Sequence, residues 1–237
     1  VPGGYVSSVK EHRQDCLCYA GIPDRFVWVT LGTYILHFHL SRLHYGCFMN
    51  SYSDLVDRLL IPFYQGDLLN EIHVVEGNNW NAKNRLDEAT DEILFDKRPV
   101  SSPELAACVR AALYYLYDYA DVARPLVKNI PDNNGYYWLA MIERRNGQFS
   151  IARQTLDKIS HHAAYQEIHR RAGEKYDLYA RQLSWDPFLF NNQCEQYKFG
   201  DTELKPQLRD IQKWEFETFF DDTWKKLMGK PVDEKDE

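Results

Sequence analysis

A chain of 237 residues, 44% hydrophobic and 14% aromatic, can fill a real core and is too apolar for disorder over most of its length. Its formal charge of −7 excludes the broad basic face that a general nucleic-acid binder needs. The opening residues lack the pattern of a secretory signal. The longest apolar run, residues 26–40, is broken by Thr, Gly and His and falls short of the ~20 residues that span a bilayer. Five irregularly spaced cysteines, Cys16, Cys18, Cys47, Cys108 and Cys194, read as reduced thiols of a soluble cytoplasmic protein.

Residues 1–48 stand apart from the rest. They hold three of the cysteines and the closely set His37, His39 and His44. Four basic residues (Lys10, Arg13, Arg25, Arg42) against three acidic ones (Glu11, Asp15, Asp24) leave +1 there, so −7 minus +1 places −8 in residues 49–237. Residues 27–31 and 33–38 are β-branched and aromatic around Gly32, the pattern of a strand pair. The segment therefore reads as a β or irregular extension, or as sequence upstream of a start at Met49. His37 and His39 would share one face of a strand, but no carboxylate or Cys completes a metal site, and none is expected.

From residue 49 to 228 the pattern is helical. Ser53 caps a helix beginning at Asp54, and Pro62 ends or kinks it. Residues 63–75 read as a second short helix after Gly66. Apolar residues from Ala82 to Leu94 recur at steps of three and four, which predicts one helix over residues 80–95 with Asp87, Glu88, Asp91 and Glu92 on its solvated face. Ser101-Ser102-Pro103-Glu104 predicts a helix start, running to residue 123 and rich in tyrosine. Pro125 is expected to stop it. Residues 130–135 read as a loop.

Next come two short amphipathic helices, residues 136–145 and 151–159, joined at Asn146-Gly147, with Ser150 capping the second. Further helices are predicted over residues 163–183, from Pro187 onward, and over residues 202–227, with Pro206 early in the last. Residues 229–237 read as a disordered tail.

Two resemblances bear on this region. Leu139, Ala140, Gly147, Ala152, Leu156 and Ile159 fall where a tetratricopeptide repeat places small and apolar residues. The match covers one repeat, which implies a helical hairpin and not a regular superhelix. The second covers about residues 111–226. Trp138-Leu139-Ala140-Met141-Ile142-Glu143-Arg144-Arg145, then His161-His162, Trp185-Asp186-Pro187-Phe188 and Gln212-Lys213-Trp214-Glu215 stand in these places. The pattern resembles an uncharacterised group of bacterial and fungal proteins with a Trp-x-x-Met-x-x-Arg-Arg motif. Leu139 and Glu143 stand where that group carries histidines. The resemblance implies a shared fold unit and brings no activity with it.

The candidate site residues are Trp138, Glu143, Arg144, Arg145, His162, Trp185 and Asp186. The arginines offer fork-shaped donors for a carboxylate or phosphate. Glu143 and His162 suit acid/base work near neutral pH. The tryptophans suit stacking, and Asp186 could orient a histidine. Adjacent Arg144 and Arg145 point about 100° apart on a helix, so one pocket does not easily take both. No phosphate loop, nucleophile elbow or zinc-protease signature occurs, and no cofactor is expected. The sequence thus predicts an all-α domain of antiparallel helical hairpins, tetratricopeptide-like at its centre. Two functions fit it. One is a non-enzymatic module receiving a peptide or protein partner. The other is a binder of a small anionic ligand, or an enzyme, with its pocket at Arg144, Arg145, His162 and Trp185. Neither calls for nucleic acid or a membrane.

Overall fold

A computed structural model describes residues 30–31, 34–35, 52–74, 77 and 79–229. The chain divides into two compact units, Val1–Phe48 and Met49–Glu237. In the first, β1 (Thr30–Leu31) and β2 (Tyr34–Ile35) pair antiparallel, with Thr30 opposite Ile35 and Leu31 opposite Tyr34. His37, His39, His44, Cys16, Cys18, Cys47 and residues 230–237 of the tail lie outside the described residues.

The second unit is all-α. Its helices are α1 (Asp54–Tyr64), α2 (Trp80–Glu88), α3 (Asp91–Leu94), α4 (Pro103–Leu116), α5 (Ala120–Val127) and α6 (Asn133–Arg145). They continue as α7 (Phe149–Leu156), α8 (Ala164–Lys175), α9 (Asp177–Ala180), α10 (Pro187–Lys198) and α11 (Lys205–Met228). Consecutive pairs fold back on one another: α4 on α5, α6 on α7, α8 on α9. The long α11 runs against both α4 and α8, and α6 packs on α4 and α5. Buried α11 residues lie on more than one face, from Leu208, Ile211 and Glu215 to Phe219, Phe220 and Trp224. Such a helix serves as a central post and not as a surface helix with one apolar stripe.

Local chemistry explains several helix starts. Ser53 accepts from the Val56 amide at 3.2 Å, and Ser102 from that of Leu105 at 3.0 Å, ahead of Pro103. Gly147, at φ +72°, closes the turn between α6 and α7.

Other boundaries differ from the sequence reading. Residues 67–74 form no helix. Leu69 adopts φ +55°, and Gln212 on α11 donates to the Leu69 and Glu71 carbonyls at 3.2 and 3.0 Å, replacing helical bonds. The predicted helix 80–95 breaks at Ala89-Thr90, where Thr90 turns extended and caps α3. The helix expected to reach residue 123 stops at Leu116. Asp118 takes φ +66° and α5 begins at Ala120, with Pro125 inside it instead of ending it. The helix α6 starts three residues early, because Asp132 caps it by accepting from Gly135 at 2.8 Å. A Cβ on Gly135 would sit 2.5 Å from the Ile130 side chain, so the first turn packs closer there than any other residue allows. Ser150 lies within α7 instead of capping it, and α7 ends at Leu156. The span 163–183 breaks at Tyr176 into α8 and α9, and a 3₁₀ turn, Thr202–Leu204, precedes α11.

Candidate functional site

Four of the seven candidate side chains stand on α6, and all four are buried. Trp138 sits among Tyr115, Phe216 and Phe219, with ring centroids 6.0–6.4 Å away. Its Nε1–H donates to Thr223 Oγ1 at 3.1 Å. Glu143 accepts from Arg124 on α5. Its carboxylate is spent on fastening α6 to α5.

Arg144 and Arg145 diverge, as their helical positions require. Arg144 points to α11, where its Nη2 donates to Glu215, and its guanidinium lies 4.4 Å over the Phe190 ring. Both members of this ion pair are buried. Glu215 also accepts from the Tyr137 hydroxyl at 2.6 Å, and that hydroxyl accepts from Trp185 Nε1 at 3.1 Å. Burial pushes the Glu215 carboxyl up, against the pull of Arg144 and Tyr137. Burial also opposes the Arg144 charge, but Glu215 beside it holds the guanidinium above its ordinary range. The Cys194 thiol nearby is pushed up to about 12 by burial, so it is no nucleophile near neutral pH.

Arg145 points the other way. It pairs with Asp118 at 2.6 Å and donates to the Tyr115 and Glu71 carbonyls at 3.2 and 3.4 Å. It therefore ties the end of α4 and the 67–74 segment to α6. Burial raises the Asp118 carboxyl, and Arg145 lowers it in part.

His162 is buried near the opposite end of α6. Its Nε2 lies 3.0 Å from Asn134 Oδ1, and its Nδ1 accepts from the Ala164 amide at 3.2 Å. Burial, then Lys226, lowers its pKa to about 4, against the pull of Asp222. Nine residues of helix, about 13 Å, separate Asn134 from Glu143 along α6. Glu143 and His162 are thus not the acid/base pair that their chemistry suggested. Trp185 stacks on Tyr179, 5.4 Å between centroids. Asp186 orients no histidine: its Oδ1 accepts from Phe188 and Leu189 at 2.9 and 3.1 Å and caps α10.

The structure brings Arg144 and Trp185 into one network, through Glu215 and Tyr137, and leaves Arg145, His162 and Glu143 in three others. The partners Tyr137, Asp118, Asn134 and Asp222 were not singled out from the sequence. Glu215 carried one signal, its place in the Gln212-Lys213-Trp214-Glu215 segment. Among the described residues, no group of three or more His, Cys, Asp and Glu is placed to hold a metal ion, and no helix is long and apolar enough to cross a membrane. The chain matches no protein-family model, no curated protein and no solved structure.

Proposed function

We propose that this chain is a non-enzymatic, cytoplasmic protein-interaction module, with the α6–α7 hairpin in a tetratricopeptide-like role and a peptide or protein segment as its partner. The observation that carries the reading is the exposure of large apolar side chains on the α2–α3 arm: Trp80 is 65% exposed and Ile93 55%. Glu92, Asp96 and Lys97 border a shallow depression beside Ile93. Exposed tryptophan offers contact area at low entropic expense, as interface anchors do. The groups that catalysis would recruit are meanwhile held in ion pairs between elements or, for Asp186, in the cap of α10. Selection from a displayed random-peptide library tests the reading. Enriched peptides are expected to bind at least about tenfold more weakly to a Trp80→Ala chain. A library that yields no enriched sequence, or peptides indifferent to that substitution, would overturn it.

A second reading, a small anionic ligand held by Arg144 or Arg145, has one observation in its favour. Arg144 Nη1 and Arg145 Nε are buried without a hydrogen-bond partner. Under that reading, phosphate or a small carboxylate raises the melting temperature of the chain, and an Arg145→Ala variant abolishes the rise. No rise with either anion removes it.

A further inference from the structure

We propose that His162 is an acid-operated latch: a proton on Nδ1 breaks the bond that starts α8 and frees the 157–163 connector from α6 and α11. The geometry fixes the tautomer. Nδ1 faces the Ala164 N–H at 3.2 Å and must accept, so the ring proton is on Nε2, facing Asn134 Oδ1 at 3.0 Å. An imidazolium carries N–H groups on both nitrogens. Its Nδ1–H would meet the Ala164 N–H, donor against donor, and one of the first amides of α8 would lose its acceptor.

On balance the surroundings disfavour a charged ring, with burial first and Lys226 next outweighing the pull of Asp222. Phe219 of α11 lies 4.3 Å from it between centroids, and Tyr137 of α6 and Tyr165 of α8 lie 6.1 Å away. Asp222 of α11 is 3.6 Å from Nε2, but Lys226 already neutralises it at 2.6 Å. Lys226 also donates to Asn134 Oδ1 at 3.1 Å. His161 in the connector adds repulsion, and Asp132 at the start of α6 a weaker attraction. Among the described residues, one further hydrogen bond, from Asn133 Nδ2 to the His161 carbonyl at 2.8 Å, ties this histidine pair to α6. Opening would uncover the aromatic faces of Tyr137, Tyr165 and Phe219.

The direction of the pH effect follows. The folded ring resists protonation down to about pH 4, against an ordinary value near 6.5. Between those values the open form binds the extra proton, so the closed latch loses stability as pH falls and is fully held above 6.5. The raised carboxyls of Glu215 and Asp118 act in the opposite sense. Comparison with a His162→Asn chain isolates the latch. That amide oxygen can still accept from Ala164 but does not titrate.

Amide hydrogen exchange by NMR reads the opening. Protection at Ala164 and Tyr165 is expected to fall about tenfold per pH unit below roughly 6.5 while α4 and α6 stay protected. In His162→Asn the fall should vanish. The His162 ring resonance of the unaltered chain, followed in parallel, should remain unprotonated at pH 5.5. A ring that titrates at an ordinary pH, or protection that ignores pH, would sink the latch. So would loss spread evenly over α4 and α6, which signals general unfolding.

Discussion

Replacing Glu215 by alanine is expected to destabilise the domain by about 3–5 kcal/mol, read as a lowered urea midpoint. The size follows from what stays behind. Arg144 is buried beside Phe190, with Glu215 as its one hydrogen-bonded carboxylate, and Nη1 already lacks a partner. The Tyr137 hydroxyl would lose its acceptor as well. A buried guanidinium without a counter-charge is among the costliest defects a core can carry. The same argument fixes a control. In an Arg144→Met, Glu215→Leu double variant, both charges are gone and apolar volume remains. It should therefore be more stable than Glu215→Ala alone, the reverse of additivity. A double variant as unstable as the sum of the single changes would mean that the two side chains act independently, and would overturn the stranded-charge argument.

The contrast between caps and ion pairs explains how much of this fold was legible in the sequence. Ser53 and Ser102 act on amides three residues away, and Pro103 fixes its own φ, so those helix starts could be read locally. The end of α4 could not. Asp118 takes a left-handed conformation beside Arg145, whose place in space depends on how α6 packs. Likewise the 67–74 segment is held off helical geometry by Gln212, more than 140 positions along the chain.

The candidate site shows the same division. That Trp138, Glu143, Arg144 and Arg145 would crowd one helix was plain from their order. What they do depends on residues 19 to 85 positions away: Arg124, Glu215 and Thr223. Glutamate and arginine look alike in a sequence whether they serve a substrate or a neighbouring helix, and burial separates the two. Asp186 is the exception that spacing alone could have settled. An aspartate directly before Pro187 at a helix start is a cap by local rule, and the structure uses it as one.

Trp138→Ala should cost about 3–5 kcal/mol, with the loss visible in both the urea midpoint and the tryptophan fluorescence of the folded state. Trp138 is fully buried, and three aromatic rings from α4 and α11 surround it. The cavity left by its truncation is walled by Tyr115, Phe216 and Phe219; Tyr115 stacks on Phe216, Phe216 on Phe220 and Phe219 on Tyr137, so they are poorly placed to close over it. Trp138→Phe keeps most of that volume and separates packing from the hydrogen bond. Thr223 Oγ1 still donates to the Phe219 carbonyl at 2.7 Å and loses only the bond it accepts, so this variant should cost about 1–2 kcal/mol. If Trp138 instead served to stack a bound ring, truncation to alanine would abolish binding and leave stability nearly unchanged. A loss below about 1 kcal/mol in Trp138→Ala would therefore overturn its role as the anchor that joins α6 to α4 and α11.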